Sequence, residues 1–306
     1  PQGELGVFER REEDINDVLG FGADAREQES STLFSWTKDS GTRTVLYDRV
    51  QESWDYSTRY FQNVDALASK NINDNLASYE SRMQSFITRM GFDTLGLEDA
   101  LIEPKYAFLG ADGTFNQVQR SEEANYIFID AYRNLELARL KTNATIPDTE
   151  LCDSLEDTFM GKVYSSDPRK GQVHSIVSNQ FRDYTSDIFE LEHIEFEPEV
   201  TETGALSTGA YGLLSPDEAW DNVTLGAGRL VALIPQNTNQ LARYPENIEI
   251  EKFVANTDRT ELAFWQSDEY NEGYILPIFV FRGTAELADG RIASFTIYVD
   301  AVKRLR

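Results

Sequence analysis

Along residues 75–92, NLASYESRMQSFITRMGF, the apolar side chains Leu76, Tyr79, Met83, Phe86, Ile87 and Met90 recur three and four positions apart. That period places them on one face of a helix, and Gly91 supplies a C-terminal stop. A second helical signature opens SPDEAWDNVTLGAG, residues 215–228. Ser215 stands three positions before Glu218 and Pro216 occupies the first helical position, so the stretch reads as a capping box. Ala219, Trp220 and Val223 fall on one side of this helix, with Asp217, Glu218 and Asp221 in solvent or at the cap. The helix is expected to dock across the sheet that follows, against Leu230, Ala232, Ile278, Val280 and Phe295.

Elsewhere a period of two dominates. TLFSWTKDSGTRTVLYD alternates about Asp39-Ser-Gly41, which predicts a hairpin carrying Leu33, Phe34, Trp36, Val45 and Tyr47. KYAFLGADGTFNQVQ predicts a second one turning at Asp112-Gly113. In ANYIFIDAYRNLEL, Tyr126, Phe128, Asp130 and Tyr132 alternate with Ile127, Ile129 and Ala131, the composition of a strand buried on both faces. Leu151, Leu155 and Phe159 recur every fourth position, predicting a short helix flanked by Cys152 between the loops TNATIPD and SSDPRKG. QVHSIVSN and DIFELEHIEFEPEV resume the strand pattern. After the capped helix come the strand GRLVALIPQ and two strands joined at Asn256-Thr-Asp258. A long hairpin turning at Asp289-Gly290 follows, in which Pro277 marks an edge, a bulge or a first strand position.

These elements predict an α+β protein of antiparallel β-sheets, each packed by a helix, in two lobes. Residues 1–31 are thin in apolar side chains and read as an extended or partly ordered arm. Residues 32–200 form an N-terminal α+β domain, TETGALSTGAYGL at 201–213 a linker, and 214–306 a C-terminal α+β lobe. A helix followed by antiparallel strands occurs twice, after Leu76 and after Ser215, which points to a duplicated helix-on-sheet unit.

Charge narrows the choice of partner. The 306 residues hold 53 Asp and Glu against 28 Lys and Arg, a formal charge of -25, while 18 Phe and 14 Tyr provide for a core. Such a field repels phosphate backbones and anionic headgroups, which argues against nucleic acid, and attracts cations or a basic protein surface. Cys152 is the only cysteine, so no intramolecular disulfide forms, and the carboxylates of Asp153, Glu156 and Asp157 oppose thiolate formation. No run is long enough to span a membrane and no leader pattern is present. The chain opens with Pro1, so an anchor or leader is expected ahead of it.

Candidate chemistry is sparse. His174 and His193 are the only histidines, and neither a zincin motif, a nucleophile elbow nor a phosphate loop occurs. In EHIEFEPE the period of two sets His193, Glu195 and Glu197 on one strand face, an imidazole and carboxylate set that ligates zinc or a harder divalent ion. A solvated polar strand face is the competing reading of the same three residues. NINDN and GADG offer oxygen ligands for calcium without EF-hand spacing. Trp36, Trp54, Trp220 and Trp265 are candidates to line a sugar or peptide groove, but with Trp220 inside the capped helix and Trp36 in a strand core packing is the default reading.

The order of capped helix SPDEAWDNVTLGAG, strand GRLVALIP, paired strands and YILPIFVFRGTAELADGRIASFTIYVDAV resembles the C-terminal part of uncharacterised membrane-anchored ectodomains of candidate-phyla (Patescibacteria) bacteria. It is similar, more remotely, to the PepSY-like units of YycH/YycI-type sensor-kinase regulators. The shared features are a Ser-x-x-Glu-Ala helix ending in Gly and a β-meander containing the strand Tyr274 to Phe281. RMGF, NYIFIDAYRNLE and KGQVHSIVSN follow the order of those ectodomains upstream, so the likeness spans residues 32–302. The resemblance implies an extracytoplasmic domain at the cell surface, anchored by an N-terminal membrane segment and without catalysis. No functional residue carries over from it. The expected function is a non-catalytic binding or regulatory module with a protein partner at the cell surface, or one that self-associates. A structural subunit of a surface assembly is the alternative, and an enzyme acting on cell-wall glycan comes third. No cofactor is expected beyond a divalent cation such as calcium.

Overall fold

The structure, a computed structural model, describes residues 19–21, 26–28, 30–38, 40–41, 43–48, 53–58, 75–110, 115–137, 159–178, 191–196, 212–235, 249–256, 259–266 and 275–303. Its first helix, α1 (Leu76–Arg89), forms where the apolar period predicts it. Asn75 Oδ1 accepts from the Ala77 amide at 3.1 Å to cap the start, and Gly91, with φ 68°, ends the run in a conformation that costs glycine nothing. Tyr79, Met83, Phe86 and Ile87 are its buried face.

Sixteen strands and a second helix are described. In chain order they are β1 (Arg26–Gln28), β2 (Leu33–Lys38), β3 (Arg43–Asp48), β4 (Ser53–Thr58), β5 (Leu101–Leu109), β6 (Phe115–Gln117), β7 (Tyr126–Tyr132), β8 (Asn134–Leu137), β9 (Phe159–Tyr164), β10 (Val173–Ser178), β11 (Leu191–Phe196), α2 (Pro216–Thr224), β12 (Arg229–Pro235), β13 (Ile250–Ala255), β14 (Glu261–Trp265), β15 (Leu276–Leu287) and β16 (Ile292–Asp300). The protein is α+β with mostly antiparallel sheets.

A nine-stranded sheet runs β1-β2-β3-β4-β11-β10-β7-β5-β6. All its pairings are antiparallel, and α1 covers one face, packing on β5 and β7 in a core that also holds Trp36, Val45, Ile127, Ile129 and Val173. The hairpin of β2 and β3 stands where Asp39-Ser-Gly41 predicts it; β5 and β6 pair as expected, while Asp112 and Gly113 lie outside the described residues. All seven residues of β7 are buried, as its two-faced apolar pattern requires. This sheet also takes up part of the stretch expected to be an arm. β1 pairs with β2, and Leu19 and Phe21 are buried in the α1 core, where Arg43 donates to the Leu19 carbonyl and lies 5.1 Å above the Phe21 ring.

A seven-stranded sheet runs β12-β16-β15-β14-β9-β8, with β13 also paired to β15. β13 and β14 do not pair with each other; they lie end to end along the twelve residues of β15. β15 and β16 form the long hairpin expected at Asp289-Gly290, Gly290 taking φ 82°. Two expectations are corrected here. Phe159, assigned by its spacing to the Cys152 helix, begins strand β9; Cys152 itself lies outside the described residues. β9 pairs with β14 in parallel, against the expectation of purely antiparallel sheets. Within this sheet β8 and β9 pair alongside strands that all follow residue 212 in the chain. Leu213, expected in the linker, forms an antiparallel bridge with Val302, and Lys303 N donates to Gly212 O at 2.7 Å.

α2 begins with the capping box read from the sequence. Ser215 Oγ accepts from Glu218 N at 3.2 Å, and Glu218 Oε2 accepts from Ser215 N at 2.7 Å. Ala219 is buried, and the half-buried Trp220 ring lies 5.1 Å from Phe281 and stacks at 6.4 Å on Phe295. Leu230 and Phe295 belong to this core as expected, but Ile278 and Val280 do not: strand alternation turns them to the other face, and Phe279 and Phe281 take the helix side. A bulge between Leu230 and Ala232 has the same effect on β12, setting Leu233, rather than Ala232, opposite Phe295.

Candidate functional site

On the face of the nine-stranded sheet turned away from α1, the register aligns Glu103 (β5), Asp130 (β7) and His174 (β10) in one row, and the backbone ladder continues from His174 through Glu195 (β11) to Asp55 (β4). Directly opposed positions share a face and stand about 5 Å apart. Asp130 is the buried centre of the row, 1% exposed in the middle of an otherwise apolar strand. Its Oδ1 lies 2.7 Å from His174 Nδ1 and accepts from Gly171 N at 3.2 Å, while Oδ2 accepts from Lys105 Nζ at 3.1 Å. Burial pushes the Asp130 carboxyl up; the bond to His174 and the charges of His174 and Lys105 outweigh it and hold the group below the usual carboxylate value. With Asp130 ionised, His174 Nδ1 is the donor of the bond between them.

Gly171 is required for this arrangement. A Cβ there would run into the backbone of Ala131, so only glycine brings its amide onto Asp130.

The charges continue toward the second sheet. Lys105 lies 3.5 Å from Glu103, and Lys162 of β9 donates to Glu103 while standing 5.0 Å above the Tyr132 ring and 5.9 Å above Tyr164. Tyr164 Oη donates to Glu261 Oε2 at 2.8 Å, and Arg282 donates to the same carboxylate oxygen at 3.0 Å and to Tyr164 Oη at 2.9 Å. Tyr298 Oη donates to Ser165 O at 3.2 Å. Burial raises Tyr132, Tyr164 and Tyr298 far above the ordinary phenol value, and for Tyr164 the charge and hydrogen bonds of Arg282 offset only part of that rise. Anion and cation thus alternate from Asp130 through Lys105 and Glu103 to Lys162, and beyond Tyr164 the pair Glu261 and Arg282 follows.

Of the residues expected to hold a metal, His193 stands opposite Ile176 and Ser57, and Glu195 opposite His174 and Asp55; Glu197 lies outside the described residues. Among the described residues no three His, Cys, Asp or Glu side chains gather to hold an ion. Within NINDN, Asn75 is the α1 cap, and within GADG only Gly110 is described. Trp36 is a fully buried core residue, and Trp265 lies 5.3 Å beneath the Arg229 guanidinium, 6.1 Å from Tyr298.

The row from Glu103 to His174 escapes motif reading because its members come from three strands. One signal does point to it. A lone acid inside the apolar run YIFIDAY is tolerable only with a buried partner, and Lys105 and His174 are the partners the sheet provides.

An imidazole held by a carboxylate through Nδ1 serves chemically as an oriented base or ligand. Every resolved shift among the described groups, however, runs away from neutrality: Asp130, Asp167, Glu218 and Asp289 down, Tyr132, Tyr164, Tyr298, Arg282 and Arg291 up. Among the described residues no helix is long and apolar enough to cross a membrane. No family model matches the sequence, and no curated protein and no solved structure is significantly similar to it.

Proposed function

We propose that the chain is a non-catalytic binding or regulatory module of a membrane-anchored surface protein, acting outside the cytoplasm through a protein partner or a second copy of itself. The observation that carries this reading is the set of bonds that joins Asp130 to His174 and Lys105, Lys162 to Glu103, and Glu261 to Tyr164 and Arg282. General acid–base chemistry works best with groups tuned toward the ambient pH, whereas Asp130 is held down and Tyr132, Tyr164 and Tyr298 are pushed up, away from it. Those bonds run from one side chain to another, which suits a scaffold that keeps two sheets in register.

The charge of -25 supports a partner with a basic face. The packing of α1 on β5 and β7 and of α2 on β16 supports two helix-on-sheet lobes of PepSY-like kind, and with them the resemblance to anchored ectodomains. The test is chemical cross-linking of the intact anchored protein in its own membranes, followed by capture and sedimentation of the purified chain over a range of concentrations. A stoichiometric partner or a self-assembled species is expected. Turnover of peptidoglycan that disappears when one carboxylate of the row is changed to its amide would overturn the reading.

A further inference from the structure

The β8–β9 ribbon joins the two sheets by different means. To the first sheet the ribbon is joined by the chain itself: β8 follows β7 with only Arg133 between them, and the turn after β9 leads through Gln172 into β10. Val163 N donates to Arg133 O at 2.9 Å, and the buried Gln172 side chain accepts from Arg133 N at 2.7 Å and donates to Val163 O at 3.1 Å. On the side of the second sheet, β9 meets β14 at two register positions, Val163 with Phe264 and Tyr164 with Trp265, extended by Gln266 N donating to Tyr164 O at 2.9 Å. That ladder is parallel, the weaker geometry, whereas β15 and β16 pair antiparallel at nine positions.

Two further features mark the same line. Beside its short ladder, the seam is fastened by the packing of Tyr164 on Tyr132 and Tyr298 and by the polar bonds of Tyr164 with Glu261 and Arg282. The indole Nε1 of Trp265 is buried beside it with no hydrogen-bond partner among the described residues, a cost that the closed arrangement carries and water would relieve.

We infer that the β8–β9 ribbon is a strap built onto the first sheet and latched to the second, and that the β9–β14 seam is the line along which the two sheets part. The latch consists of Tyr164, Glu261 and Arg282. A seam of this kind gives the module two states whose balance a partner biases by binding one of them better. The inference does not depend on who that partner is, because the opening belongs to the fold.

Hydrogen exchange followed by mass spectrometry on the full chain tests it, with wild type compared against Glu261→Gln and Tyr164→Phe. The wild-type peptide containing Tyr164 and that spanning Glu261–Gln266 are expected to exchange at least about tenfold faster than those of β15 and β16. Glu261→Gln should speed the seam peptides by about a further tenfold and leave β16 unchanged. If that variant fails to fold, Tyr164→Phe keeps the ring packing and removes only the hydroxyl, and the same selective gain is expected. Equal protection of the seam and of β15–β16 in the wild type, or a uniform rise across the second sheet in either variant, overturns the inference.

Discussion

His174 Nδ1 lies 2.7 Å from Asp130 Oδ1, and the two residues, 44 positions apart in the chain, are direct partners in the β7–β10 register. The bond therefore reports that register. A slip of one residue would turn Asp130 toward the α1 core and leave a charge there unpaired.

The first prediction concerns acid. Because the folded state holds Asp130 below its ordinary value of 3.8, its contribution to stability is complete above that value and is lost as pH falls through the folded pKa. Denaturant melts should show this share constant from pH 7 to about 5 and draining away below about 4, and Asp130→Asn should abolish that portion of the slope. At neutral pH Asp130→Ala should cost about 3 to 5 kcal/mol, since His174 and Lys105 lose their partner in a buried place. An unchanged denaturation midpoint in Asp130→Ala would show the row to be ornamental.

Gly171→Ala tests the close approach beneath the row. The added methyl meets the Ala131 backbone, which has no rotamer to yield, so a loss of about 1 to 3 kcal/mol is expected by thermal or chemical melting. A neutral result would mean that the 165–172 turn moves aside freely.

At α2, Trp220→Ala should cost about 3 kcal/mol, the low end for such truncations because the ring is only half-buried, and Ser215→Ala about 1 kcal/mol through the lost cap. If Trp220→Ala melts like wild type yet abolishes capture of a partner, the ring serves recognition rather than packing.

From the charge of -25, no retention on DNA or on anionic vesicles is expected near physiological salt, and strong retention on a cationic matrix is. Calcium chloride should stabilise the fold through screening, so sodium chloride at equal ionic strength should raise the melting temperature nearly as far. A calcium effect that saturates at low concentration and vanishes in Glu195→Gln would instead locate an ion at β11.

The elements legible in the sequence are those whose cause is local. The spacing of Tyr79, Met83, Phe86 and Ile87 defines α1, and Ser215 with Glu218 marks the α2 cap, because both depend on residues within a few positions of each other. What stayed hidden depends on distant partners. Phe159 fits a four-residue helical spacing with Leu151 and Leu155, yet it lies in a strand, because ladders on β8 and β14 outweigh a weak local preference. Ile278 and Val280 were placed one residue out of phase, since an apolar run buried on both faces carries no mark of which side meets the helix. In the charged row, Asp130 was visible as an acid among apolar residues; Lys105, Glu103 and Lys162 look like ordinary surface charge until the sheet order brings them together.

The pairing of Tyr164 with Trp265 also sets a timetable for synthesis. About a hundred residues separate the two, so at about 5 to 20 residues per second β9 leaves the ribosome some 5 to 20 seconds before β14 exists to receive it. During that interval the nascent chain presents an open strand edge next to the apolar faces of Tyr132 and Tyr164, the kind of surface that chaperones hold and neighbouring nascent chains capture. The long-range ladder thus makes the finished fold contingent on the last third of the chain, and a message truncated before β14 would yield a product with a permanent adhesive edge.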